Sequence, residues 1–355
     1  MPETREGLQK LFGELLGGRF HSAPGGEGLL GEFLPLHAGD VRRISEAASR
    51  HGVPLSAAGG GTASAEALRE GVVVNTELMR RFELRHNGGG WAEAEPGVRW
   101  LALDDELRRR GKGLAVYPTS APRATVGGWL AMDGLGVGSF EHGWLHENVL
   151  AADVVLPGGQ ICELSGRELP GFLCKQRAGI VVNARLRTRR ADTDRPFAVA
   201  FEDREALLGA LGRLARQPEA VPAWHVGFLS PAMAAMRGLS PAHLMFGAYP
   251  GYRFEELDEA FTFAIAGHDG ERLDSRTAYR IWGERFYPVT PSNPAPPVRR
   301  EFTTVESLLA SPAEEGLAVQ GTLARSGEVL LLAIENEPGR PENTASPAPR
   351  GRIQR

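Results

Sequence analysis

The chain has 355 residues, 42% hydrophobic and 24% charged, which is the composition of an ordinary globular protein long enough for two or three domains. A formal net charge of −4 argues against a basic field for nucleic acid or an anionic membrane. Its two cysteines, Cys162 and Cys174, form no Cys-x-x-Cys pair, which argues against a thiolate zinc site or a disulfide framework and fits buried small hydrophobes in a reducing, cytoplasmic setting.

Leu8, Leu11, Phe12, Leu15 and Leu16 recur at helical spacing. They predict a docking helix rather than a signal peptide, with residues 1–28 as helix and linker. No apolar run reaches spanning length, so no membrane span is expected. Phe33-Leu34-Pro35-Leu36 reads as a short edge strand, and Asp40 as the N-cap of a helix carrying Val41, Ile44, Ala47 and Ala48 inward. Val53 to Ala58 reads as a strand, Val72-Val73-Val74 as a buried one, and Phe82 to Leu84 with Trp91 to Ala94 as a hairpin. An amphipathic helix follows from Trp100 to Arg110. After a glycine-rich stretch come strands at Val149 to Leu156 and Ile180 to Leu186. From about Pro196 the texture becomes strand, helix, strand, helix: Phe197 to Phe201, Arg204 to Arg216, Ala223 to Leu229, and a helix from Pro231. Phe254 to Ala266 is a further helix, and Leu317 to Ile334 a hairpin turning at Ser326-Gly327. The prolines after Glu335 mark 336–355 as a disordered tail.

Two glycine-rich turns interrupt this pattern. In "AAGGGTAS", Gly59, Gly60, Gly61 and Thr62 follow a strand, and successive unhindered amides there can curl into an anion-binding concavity. The turn lacks the Gly-Lys-Ser/Thr ending of a P-loop. The second turn runs from Tyr117 to Gly143, "YPTSAPRATVGGWLAMDGLGVGSFEHG", and lets the backbone pass close to a flat or phosphorylated ligand. Its Gly134-Leu135-Gly136-Val137-Gly138-Ser139 mimics a dinucleotide fingerprint, but Ser139 replaces the last glycine and no strand-then-long-helix context surrounds it.

Taken in order, "VPLSAAGGGTAS", "VVVNTELMRRFEL", "AEAEPGVRWLALDDEL", the Tyr117–Gly143 run, "NVLAADVVLPGG" and "GIVVNARLRT" resemble the FAD-binding domain of the vanillyl-alcohol-oxidase and p-cresol-methylhydroxylase (PCMH) family, within it the glycolate-oxidase and D-lactate-dehydrogenase type. The resemblance spans about residues 30 to 190. It implies an α+β fold: a two-subdomain PCMH-type FAD-binding domain at 29–192, divided into 29–112 and 113–192, followed by a small α+β cap domain at 196–335. It implies FAD as cofactor. Gly59, Gly60, Gly61 and Thr62 match the pyrophosphate loop; Pro118, Thr119, Ser120, Thr125, Gly127 and Gly128 match the segment beside the ribityl chain and flavin. Asp133, Gly134, Gly138, Ser139, His142 and Gly143 match the next FAD-contacting turn, and Gly179, Ile180 and Val181 the block near the adenosine.

Three departures accompany the match. Asp133 stands where the family commonly has Asn, Ala58 where it often has Arg or Pro, and Leu173 to Ala178 replaces a glycine-rich run. Lys175 or Arg177 is thereby set near the flavin or left as a solvated loop charge. His142 reads either as a cofactor contact, covalent or polar, or as a surface histidine. His225, His243 and His268 are spread apart, and no histidine pattern points to a metal.

Trp282-Gly283-Glu284-Arg285 is similar to a Trp-x-x-Arg element of the family's cap. Arg285, Tyr279 and Tyr287 are the candidates for orienting a small-molecule carboxylate substrate, the alternative being an aromatic strand edge with a surface arginine. The resemblance implies an FAD-linked dehydrogenase acting on the CH–OH group of a small 2-hydroxy acid. The alternatives are an FAD-binding, electron-transfer partner subunit of a glycolate-oxidase-like complex, or a cofactor-free scaffold.

Overall fold

The computed structural model describes residues 4–24, 28–62, 70–85, 90–175, 179–191, 193–216, 223–286, 298–312 and 316–334. Three sheets follow one another along the chain. The first begins with helix α1 (Arg5–Leu15) and strands β1 (Phe20–Ser22) and β2 (Leu29–Phe33), then α2 (Ala38–Arg50), β3 (Leu55–Ala58) and β4 (Gly71–Asn75). Its order is β1-β2-β4-β3, antiparallel at β1–β2 and parallel elsewhere. Helix α1 starts where the Thr4 hydroxyl accepts from the Gly7 amide, and it docks as expected. Phe12, fully buried, meets the rings of Phe20 and Phe33 at 5.9 and 5.7 Å, a burial that contributes about 2 kcal/mol.

Two local expectations change here. The strand expected at Phe33–Leu36 ends at Phe33, before Pro35, and β2 lies inside the sheet because β1 covers its edge. Asp40 does not cap α2; the His37 ring accepts from the Asp40 amide instead. The Asp40 carboxylate is buried against the Arg19 guanidinium and the Leu36 amide, so it closes the preceding loop onto the helix.

The second sheet comprises β5 (Phe82–Arg85), β6 (Trp91–Ala94), β7 (Lys112–Leu114), β8 (Val149–Val155), β9 (Ile161–Leu164) and β10 (Ile180–Arg190), with helices α3 (Trp100–Arg108), α4 (Val126–Met132) and α5 (Ser139–His142) between them. The order is β5-β6-β10-β8-β9, with β7 on the far end of β10. The expected division at residue 112 therefore falls inside this sheet. The 82–94 hairpin pairs with β10 through Ala94↔Ala184 rather than with the first sheet.

The third unit contains β11 (Arg195–Phe201), α6 (Arg204–Arg216), β12 (His225–Leu229), α7 (Pro231–Met236), β13 (His243–Tyr249), α8 (Phe254–Ile265), β14 (Glu271–Arg272), α9 (Ser275–Gly283), β15 (Val298–Thr304), α10 (Val305–Ala310), β16 (Ala318–Leu323) and β17 (Glu328–Ile334). Its antiparallel sheet runs β14-β11-β13-β12-β16-β17-β15. Along β11, Phe197, Val199 and Phe201 face a core with α6 and α8, while Ala198 faces α7, α9 and the second sheet, the alternation a strand imposes. One apolar core thus runs unbroken from Leu103 and Leu130 through Trp224 to Ile281 and Leu332. The expected tail at 336–355 lies outside the described residues.

Candidate functional site

The two glycine-rich turns meet. A Cβ on Gly60 would run into the Arg123 carbonyl, and one on Gly59 into the Thr125 hydroxyl. A Cβ on Gly128 would sit 3.2 Å from that same oxygen. Thr125 Oγ1 is buried with no hydrogen-bond partner among the described residues. Among those residues no carbonyl accepts from the amides of Gly60, Gly61 or Thr62 either. Gly61 and Thr62 are exposed, so their amides are open to solvent, whereas an unmet buried hydroxyl such as that of Thr125 costs about 1–3 kcal/mol; a run of main-chain donors of this kind is what an oxyanion bridge requires. Gly127 packs on Pro96, its Cβ position 2.6 Å from the proline ring. Pro118, Thr119 and Ser120 lead into a tight turn in which the Ala121 and Arg123 amides donate to the Pro118 and Ser120 carbonyls.

Residues 133–143 form the neighbouring turn. Asp133 holds a left-handed φ of 49°, and its carboxylate takes the His146 ring at 2.7 Å. Gly134, Gly138 and Gly143 have φ of 147°, 96° and 74°, values that only glycine adopts readily. Ser139, fully buried, accepts from the Gly136 amide at 2.9 Å, so the residue that breaks the dinucleotide fingerprint ties this turn together. The His142 ring stands 3.6 Å from Glu141, and burial pushes it down to about 4, helped by Arg189, Arg187 and Arg325. Burial also raises the Glu141 carboxyl. The His142 ring is therefore uncharged at neutral pH, and its contact with Glu141 is not a salt bridge. Gly179 stands against Val154, Val155 and Phe172, while Ile180 packs into the first core and Val181 into the second.

Across this turn lies the cap. Fully buried Trp224 donates from Nε1 to the Ala115 carbonyl at 3.0 Å, and the Arg189 guanidinium rests 3.6 Å over its ring. The Tyr117 hydroxyl, fully buried, accepts from Arg285 Nε and Nη2 at 3.1 and 2.9 Å. Burial pushes Tyr117 up to about 12, so it stays protonated at neutral pH. Arg285 is half-buried between the rings of Trp282 and Phe286, at 4.4 and 4.3 Å, and ends a helix rather than a strand. Tyr279 is 46% exposed because the buried face of α9 is Ala278, Ile281 and Trp282; the structure does not bring it to Arg285. Tyr287, Arg177 and the Lys175 side chain lie outside the described residues.

One residue here stood out only as an isolated histidine in the sequence. His225, on β12, is 1% exposed, packs against Trp282 and Phe246, and has no partner for Nδ1 among the described residues. Burial, with the Arg285 charge adding to it, pushes His225 down from 6.5 to about 3. The unfolded chain therefore binds a proton that the folded chain refuses, and folding stability falls as pH drops from about 6.5 toward 3. A His225→Gln variant is expected to lose less stability than the parent between those limits, read by urea unfolding at each pH. Equal losses would remove His225 as a source of the acid sensitivity.

Comparison with known proteins places this geometry. Residues 31–165 match the FAD binding domain family. That segment, 38% of the chain's length, carries the pattern of an FAD binding domain. It is 31% identical over 138 residues to the D-lactate dehydrogenase of Archaeoglobus fulgidus, covering 38% of this chain and 31% of that protein. It is 25% identical over 252 residues to the alkyldihydroxyacetonephosphate synthase of Trypanosoma brucei brucei, covering 67% of this chain and 37% of that one. The chain thus matches less than two-fifths of the length of either relative. The structure of p-cresol methylhydroxylase with substrate bound shares the fold, with a TM-score of 0.68 at 13% identity over 86% of this chain and 75% of that one. FAD is the cofactor of this domain, and the unmet Thr125 hydroxyl and crowded Gly59–Gly60 bend fit it. No helix among the described residues is long and apolar enough to cross a membrane.

Proposed function

We propose that this chain is an FAD-linked oxidoreductase acting on the CH–OH group of a small 2-hydroxy acid. The observation that carries the reading is the direct contact between the two glycine turns, with Arg285 and His225 both in the adjoining seam. Gly59, Gly60, Gly61, Thr62, Thr125, Gly127 and Gly128 hold the cofactor, with Pro118, Thr119 and Ser120 beside them. Asp133, Gly134, Gly138, Ser139, His142 and Gly143 form its second wall, and Gly179, Ile180 and Val181 support its far end. When bound, FAD supplies the hydride acceptor.

Arg285 orients the substrate carboxylate. Three of its five N–H donors are spent on Tyr117 and the Trp282 carbonyl, which fixes the plane of the fork, and two remain. The nearby His225 imidazole stays uncharged, because burial, the larger cause, and the Arg285 charge both disfavour its protonation.

Anaerobic mixing of the FAD-loaded chain with D-lactate or glycolate tests this. The expected result is loss of flavin absorbance. A yellow chain reduced only after a partner protein is added supports the electron-transfer subunit instead, and a chain that takes up no FAD overturns both. Arg285→Met is expected to raise KM by roughly 30-fold or more, since losing one partner of a buried charge pair costs about 2 kcal/mol or above. FAD affinity should be unchanged. A KM equal to that of the parent would take Arg285 out of the site.

A further inference from the structure

We propose that Gln320, buried on strand β16, is a positioning residue for Arg285, acting with Arg237 through the main chain at the end of helix α9. This rests on the reading above, in which Arg285 takes the substrate carboxylate. Gln320 is 1% exposed, and both ends of its amide are used. Its Nε2 donates to the Arg285 carbonyl at 2.9 Å, and its Oε1 accepts from Arg237 Nη2 at 2.6 Å. A guanidinium has no acceptor, so the amide has one orientation, oxygen toward Arg237 and nitrogen toward the carbonyl.

A helix leaves its last carbonyls without partners in its own backbone. At the end of α9 three successive carbonyls, those of Glu284, Arg285 and Phe286, accept from just two side chains. Arg237 donates from Nη1 to Glu284 and from Nη2 to Phe286 at 3.1 Å, and Gln320 holds the carbonyl between them. The tip of the Arg285 side chain is held in turn by Tyr117 of the FAD-binding domain. The guanidinium is thus fixed from both ends.

The clamp stands on the middle of the sheet. Gln320 lies beside Leu229 of β12 and Leu332 of β17, so β16 is an interior strand. Helix α7, which ends just before Arg237, is tied to the same strand. The Ser230 hydroxyl caps it by accepting from the Met233 amide, and also accepts from the Val319 amide and donates to the Leu317 carbonyl. A misplacement of about 1 Å in a substrate-orienting group can cost about 100-fold in rate, which is what this clamp prevents.

The test uses the full FAD-loaded chain with D-lactate. Gln320→Met keeps the length and removes both hydrogen bonds. It is expected to raise KM about tenfold, with kcat within about twofold, the pattern of lost binding rather than lost chemistry. Gln320→Glu keeps an acceptor for Arg237 but turns a second oxygen toward the Arg285 carbonyl, and KM should rise as far. In an Arg285→Met background, Gln320→Met should move KM by less than about twofold, because the group it positions is gone. Titration of the flavin spectrum with propionate, which has the carboxylate and no CH–OH group, should show the same pattern without turnover. Should Gln320→Met not fold, Arg237→Gln loosens the same carbonyls and should raise KM in the same direction. An unmoved KM in the Gln320 variants overturns the positioning role, as does an effect of full size in the Arg285→Met background or a fall in kcat alone. A parent chain whose flavin D-lactate does not reduce, or a KM that Arg285→Met leaves unmoved, overturns the underlying reading instead.

Discussion

Gly60→Ala is expected to abolish tight FAD binding. Its new methyl group would share space with the Arg123 carbonyl, and the next atoms met, the Arg123 carbonyl carbon at 2.9 Å and Ala124 Cα at 3.5 Å, are backbone as well. No side chain is available to swing away, so the two turns must part. Overpacking of this kind costs about 1–3 kcal/mol of stability, and the lost registry of donors should weaken FAD roughly 100-fold, close to 2.8 kcal/mol. Gly283→Ala is the matching control, because nothing lies within 4 Å of its Cβ position. Fluorescence titration with FAD gives the first number and thermal unfolding the second. Unchanged FAD affinity in Gly60→Ala would show that contact between the turns plays no part in holding the cofactor.

Trp224→Ala should be the most destabilising single change in the seam. The ring is fully buried, meets Tyr117 and Trp282 edge-on at 5.9 Å each, and carries Arg189 at 3.6 Å. Truncating such a tryptophan costs roughly 3–5 kcal/mol. It also strands the Ala115 carbonyl, which Nε1 now satisfies. Trp224→Phe separates these parts by keeping most of the apolar contact and losing the N–H, for about 1–3 kcal/mol. Denaturant unfolding measures both. A cost below about 1 kcal/mol for the alanine variant would mean that the cap and the FAD-binding domain are not braced at this point.

Much of the local structure could be read from residue order. The spacing of Leu8, Phe12 and Leu16 located α1, and the apolar run at Val72–Val74 located a buried strand. The glycine turns announced that something approaches the backbone closely. What residue order could not supply was partnership across distance. Tyr117 and Arg285 are 168 positions apart, and the hydrogen bond between them depends on how α9 lies on the third sheet. The 82–94 hairpin looked local, yet its sheet was decided by β10, almost a hundred residues on. Asp40 had the right chemistry for a cap and lost that role to a better offer from Arg19. Helix α9 did leave a signal: Asp274 as N-cap, then Ala278, Ile281 and Trp282 on one face. The adjacent aromatics left a strand edge open as an alternative. Strand β13 is buried along almost its whole length, and a short apolar run of that kind carries no periodicity to separate strand from helix.

Strand β10 carries a final consequence. Ile180 and Val182 point into the first core, whereas Val181, Ala184 and Leu186 belong to the core shared with the cap. The switch between cores falls at a register irregularity between Val181 and Asn183, and dropping or adding one residue there would turn the side chains beyond it to the wrong face. Natural variants of this protein should therefore differ in length in their connecting segments, while the span from Gly179 to Leu186 keeps its residue count even as its side chains drift.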